Sequence, residues 1–248
     1  MMKFLLSLVL ILNLYASELN SIKVYTETYP PFNMKQNGLL VGVSSEILKN
    51  MYKEMGIINK YKDIKLVPWA RGYRIVIKKT NTMLYSTLRT KERENKFKWV
   101  GPIYTIKQDI LALKISNIKI KRLQDLNKYK IGVILGWATT DYLLHNNIKK
   151  DSMKIFVGKD ASKKGFDSLN TAQIDCFVYN KNAIQYDTYL SKIISKNYKV
   201  IYQIENDKLY YAFNKKTDDK IIQQWQKALD KIKLNGVYQK ILHKYNLQ

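Results

Sequence analysis

Short apolar runs alternate with longer stretches of helical periodicity along most of this chain, and that alternation constrains the fold more than any other feature. Residues 21–26, 64–67, 83–86, 130–135, 155–157 and 174–179 read as strands. Residues 43–55, 69–79, 161–169, 183–194 and the stretch after Gly136 through His145 read as helices. Strand–helix alternation predicts an α/β architecture with parallel sheets. A further helix is predicted near the C-terminus. Thr217 is placed to cap it, Asp218 and Asp219 suit its first turn, and Ile221, Trp225, Ala228, Leu229 and Ile232 form its apolar stripe. Asn235-Gly236 then breaks it. No linker rich in Pro, Gly or Ser interrupts the pattern, so two lobes would have to be joined by short ordered strands.

The chain has 248 residues, which fits one large domain or two small lobes. A hydrophobic content of 46% is enough for real cores and excludes a disordered basic tail. The formal net charge of +23 invites a nucleic-acid reading. Only five of the 43 basic residues are Arg, however, and the Lys excess is spread over the whole length. A nucleic-acid binder gathers its cations on one face and uses Arg for bidentate contacts. The charge is therefore read as compositional background, and nucleic acid is not expected as a partner.

Residues 1–16 have the layout of a secretory signal peptide. Lys3 precedes an apolar stretch from Phe4 to Leu12, and Leu14-Tyr15-Ala16 offers a cleavage site before Ser17. The stretch is shorter than the ~20 apolar residues a membrane span needs. An exported, periplasmic protein is expected. Cys176 is the only cysteine, so no intrachain disulfide can form, and its apolar surroundings point to a buried structural thiol. His145 and His243 lie in Lys-rich helical contexts. No cluster has metal-ligand spacing, and no phosphate-binding or nucleophile-elbow motif occurs, so neither metal nor cofactor is expected.

Four segments together resemble the extracellular solute-binding proteins of family 3, the amino-acid type. The first is Thr28-Tyr29-Pro30-Pro31-Phe32, followed by Gly38 to Gly42 and a helix. The second is Pro68-Trp69-Ala70-Arg71, then Ser86 through Arg93, ending in Trp99-Val100-Gly101-Pro102. The third runs from Lys130-Ile131-Gly132-Val133 into Gly136-Trp137-Ala138-Thr139, with Ile174-Asp175 further on. The fourth is Asn235-Gly236-Val237-Tyr238 through Leu242, with Tyr245. The resemblance implies a two-lobed type II periplasmic binding protein fold with a ligand cleft between the lobes. It places lobe one at residues 21–106 and 206–248 and lobe two at 107–205.

The resemblance also implies a site. The family's Ser/Thr-x-x-Arg turn matches Thr90-Lys91-Glu92-Arg93, which makes Arg93 the expected grip on a ligand carboxylate. A guanidinium fork suits that group better than an ammonium does. Ser86 matches the position before this turn, with Thr87 and Leu88 contributing through their backbone. Tyr29 and Trp69 are the expected aromatic walls, and Arg71 offers a second anionic contact. Across the cleft, Gly136 to Thr140 matches a strand-to-helix turn whose amides suit an anion. Trp137 stands there as a wall and Thr139 as a polar contact. Asn180 occupies a position that often holds an acid for the ligand ammonium, which puts an α-amino acid in doubt unless Glu27 or Asp141 points inward.

The implied function is capture of a small carboxylate-bearing ligand, an amino acid or related acid, by hinge closure. A monomer would present it to a membrane permease or a sensor. The alternative is an enzyme on the same fold, dehydratase-like, with Glu27 and Arg93 acting on a bound acid.

Overall fold

Two strands of seventeen residues each, β6 (Phe97–Leu113) and β10 (Tyr198–Asn214), run side by side through the centre of the molecule. The structure is a computed structural model. It describes residues 21–57, 60–158, 160–180, 184 and 195–247. The expected signal peptide and nearly all of the helix expected at 183–194 lie outside the described residues.

In chain order the first flank holds β1 (Lys23–Thr26), β2 (Met34–Gln36), β3 (Leu39–Val41), α1 (Val43–Glu54), β4 (Lys65–Leu66), α2 (Trp69–Lys78) and β5 (Thr82–Leu88). After β6 come β7 (Ile131–Ile134), α3 (Ala138–His145), β8 (Met153–Phe156), α4 (Ala161–Asn170) and β9 (Cys176–Val178). After β10 the chain ends in α5 (Asp219–Leu234) and α6 (Val237–Lys244). The main sheet has the order β4-β1-β5-β10-β6-β9-β7-β8, and β2 and β3 form a separate hairpin.

The parallel expectation holds within each flank. β1 runs parallel to β4 and β5, and β7 runs parallel to β8 and β9. It fails at the centre, where β10 is antiparallel to both β5 and β6. The flanks are thus joined by the two longest strands of the fold, not by the short connections expected. In the fold Gly101-Pro102 and residues 205–206 fall at two of the three register slips of a strand pair that runs from Tyr198 opposite Leu113 to Asn214 opposite Phe97. Such slips bend a strand pair without ending it.

The helices form where apolar residues recur at helical spacing. α1 buries Val43, Ile47, Leu48, Met51 and Tyr52 on one face. α5 packs the fully buried Trp225 edge-on against Tyr52 at 5.5 Å and Phe213 at 5.2 Å. This contact draws the C-terminal helices back onto the first flank. The cap of α5 is Asp218, whose carboxylate accepts from the Lys220 amide at 2.7 Å, and not Thr217. A carboxylate suits the positive end of a helix better than a hydroxyl does, and Thr217 is buried one residue earlier. Gly236 ends the pattern with φ of 80° as the sequence suggests. Cys176 is buried in β9, and burial pushes its thiol up to about 12, so it stays protonated.

Candidate functional site

β1, β5 and β7 all end at the crevice between the two flanks, which is where open α/β sheets bind their ligands. A small cavity, partly open to solvent, lies there. Glu27, Tyr29, Trp69, Ser86 and Arg93 line it from the first flank, and Trp137 and Thr139 line it from the other. The structure therefore brings seven of the nine sequence-predicted residues round one space.

Each residue reaches the cavity for a local reason. Glu27 is the first residue beyond β1. Asn33 holds its carbonyl through an Nδ2–H bond of 2.5 Å, within the turn closed by the Tyr29–Asn33 bridge. Ser86 has φ of 58°, a left-handed conformation costly for any residue with a Cβ. It is the extra residue at the register slip between β5 and β10. Bulges of this kind re-aim side chains beside functional sites. The Ser86 hydroxyl is tied to Ser44 Oγ at 2.8 Å and to Asn33 Oδ1. Trp69 opens α2, and Thr139 lies buried in the first turn of α3.

Arg93 is only 3% exposed. Its guanidinium lies 5.4 Å from the ring centroids of both Trp69 and Tyr73. One Nη2–H donates across the crevice to the Gly136 carbonyl at 2.9 Å, and the same nitrogen is 3.6 Å from the half-exposed Asp141 carboxylate. Burial lowers the pKa of Arg93, opposed by Tyr73 and Asp141. A guanidinium nevertheless stays charged in proteins.

The Glu27 carboxyl faces the same space. Burial pushes its pKa up to about 8, against the Trp137 hydrogen bond and the nearby charge of Arg93. It therefore holds its proton at neutral pH in the absence of a cationic neighbour closer than Arg93. Trp137 Nε1 donates to Glu27 at 3.4 Å, and the Trp137 ring meets Tyr29 edge-on at 5.3 Å and stacks on Tyr179 at 5.9 Å. Gly136 lies so close to Trp69 that a Cβ there would stand 2.8 Å from the indole Cδ1. The flanks thus meet through Arg93 with Gly136, Glu27 with Trp137, and Trp69 with Gly136.

Two sequence-predicted residues are placed elsewhere. Arg71 is exposed on α2 and does not line the cavity. Residues two apart on a helix point about 200° apart, so a helix that turns Trp69 inward turns Arg71 to solvent. Asn180 is half-buried just past β9 and does not line the cavity either. Two residues at the site escaped sequence reasoning. Gln108 lines the cavity from β6, and Asn33 ties Glu27 to Ser86 from below. Gln108 sits in the polar trio Lys107-Gln108-Asp109 between Ile106 and Ile110, so the sequence alone does not single it out. No group of three or more His, Cys, Asp or Glu is placed to hold a metal among the described residues.

Residues 22–248 match the family model described as bacterial extracellular solute-binding proteins, family 3. A probable histidine-binding protein of Campylobacter jejuni is 26% identical over 238 residues, covering 92% of this chain and 86% of that protein. An ancestral arginine-binding protein bound to arginine superposes with a TM-score of 0.74 at 24% identity, over 90% of this chain and 97% of that one. A histidine kinase sensor domain with similarity to periplasmic binding proteins superposes with a TM-score of 0.78 at 17% identity, over 90% and 95%. At these identities the structural likenesses establish the fold, which is the two-lobed type II periplasmic binding fold.

Proposed function

Because the chain belongs to the bacterial extracellular solute-binding proteins of family 3, we propose that it captures one small amino acid between two closing lobes. Lobe one is residues 21–106 with 206–248, lobe two is 107–205, and β6 and β10 form the hinge between them. The observation that carries this reading is the buried Arg93 and the enclosed Glu27 carboxyl lining one cavity at the crevice between the flanks. Arg93 takes the ligand carboxylate through its planar fork, braced by Trp69 and Tyr73. Glu27 takes a cationic group on the ligand side chain. Tyr29 and Trp137 supply aromatic walls, and the α3 amides around Thr139 face the carboxylate from lobe two.

Closure follows from these contacts. A ligand touching both lobes stabilises the closed state by its differential affinity for it. The exported chain would then hand its ligand, as a monomer, to a permease or present itself to a sensor. The relatives with histidine and arginine in their names make basic amino acids the first probes. Calorimetry of the mature chain with L-histidine, L-arginine and L-glutamine is expected to give a Kd of about 1 μM or tighter for at least one. The ligand recovered afterwards is unchanged, as a binding protein requires and a dehydratase does not allow. No heat and no thermal stabilisation with any amino acid would overturn the proposal.

Gly136→Ala tests closure. At φ of 76° the new side chain is strained, and its Cβ meets Trp69. The variant is expected to fold, to keep its lobes apart, and to lose about tenfold or more in affinity. Small-angle scattering with saturating ligand checks this: the wild type contracts and the variant does not.

A further inference from the structure

Gln108 is 2% exposed on β6, beside the point where its pairing with β10 slips between Ile204 and Asp207. Its Nε2 donates to Tyr29 Oη at 3.0 Å. Its Oε1 is buried and has no hydrogen-bond partner among the described residues. The side chain lines the cavity shared by Arg93 and Glu27. A buried amide oxygen without a donor is costly, and native proteins keep few of them.

Trp137 Nε1 gives to Glu27, and Arg93 gives to the Gly136 carbonyl. In the proposed function the remaining Arg93 N–H groups go to the ligand carboxylate, and the ammonium beside that carboxylate brings a donor into the cavity that Gln108 lines. We propose that Gln108 is a specificity-determining residue whose Oε1 accepts a hydrogen bond from the ligand α-ammonium. The inference rests on the proposed function and deepens it by naming the side chain that reads the α-ammonium of the ligand. A neutral amide suits this place better than a second acid. Two carboxylates in one cavity would raise each other's pKa, whereas Gln108 leaves Glu27 free for a second cationic group. A site built to hydrogen-bond an N–H rejects the analogue that lacks it, because its acceptor is then buried unpaired.

The test uses two ligand pairs: L-histidine with 3-(imidazol-4-yl)propanoate, and L-arginine with 5-guanidinopentanoate. Each pair differs only in the α-ammonium. The wild type is expected to prefer the amino acid by about tenfold or more. In Gln108→Met the amino acids are expected to lose about tenfold, while the analogues change by less than about twofold. The preference of the wild type needs no variant, so it stands even if Gln108→Met melts early. Wild-type binding with no preference overturns the role of Gln108 and leaves the binding proposal intact. An equal loss on both members of a pair does the same. Wild-type binding of neither member of either pair, nor of L-glutamine, overturns the proposed function itself.

Discussion

Arg93→Ala is expected to weaken amino-acid binding by a factor on the order of 10²–10³, the cost of removing one partner from a buried charge pair. Two contacts disappear together. The ligand carboxylate loses its fork, and the crevice loses the 2.9 Å bond from Arg93 to the Gly136 carbonyl. Arg93→Lys separates charge from geometry. Lysine keeps the charge but has no planar fork and cannot lie against Trp69 and Tyr73 as the guanidinium does. It is expected to recover less than about a tenth of the wild-type affinity. Calorimetry on both variants checks the assignment, with a melting curve to confirm folding. Wild-type affinity in Arg93→Lys would show that the site reads charge alone.

Glu27→Gln is expected to remove the pH dependence of binding. With its pKa at about 8, Glu27 is protonated in the unliganded protein at pH 7. A cationic ligand binds the ionised form, so affinity for L-arginine rises as pH approaches 8 and then levels. The Gln variant binds weakly, with an affinity that does not change between pH 6 and 8.5. Stability moves the opposite way. A carboxyl whose folded pKa is raised above its ordinary 4.5 binds more protons folded than unfolded. Its contribution is present below about 4.5 and is lost as pH climbs to about 8, by a few kcal/mol. Unliganded Glu27→Gln is therefore expected to melt above the wild type at pH 8.5 and close to it at pH 5. Parallel melting curves at both pH values would expose a Glu27 that is already ionised.

The two flanks were legible because each is a run of βα units, and period and apolar content report those directly. The strand pair between them was not. Its two strands pair across some hundred residues, and Gly101-Pro102 and residues 205–206 fall at slips of that pairing, where a local reading sees only loop chemistry. Arg93 stood out because Arg is scarce in a Lys-rich chain, so an Arg in a turn matching a known site carried information. Arg71 carried the same scarcity, but the helix that turns Trp69 inward leaves Arg71 exposed and off this cavity. The cap of α5 shifted by one residue because Thr217 and Asp218 both have capping chemistry and only the geometry of the preceding strand chooses. Gln108 and Asn33 depend on strand register and on the bulge at Ser86. A one-residue slip would reverse which way Gln108 faces, so a single sequence does not announce it.

The central claim is that a ligand enters between Arg93 and a protonated Glu27 and ionises it. Titrating the wild type with L-arginine at pH 7, in two buffers of different ionisation enthalpy, measures the protons exchanged per ligand bound. Release of close to one proton per site is expected in the wild type and none in Glu27→Gln. Tight binding of L-arginine with no proton release would contradict it.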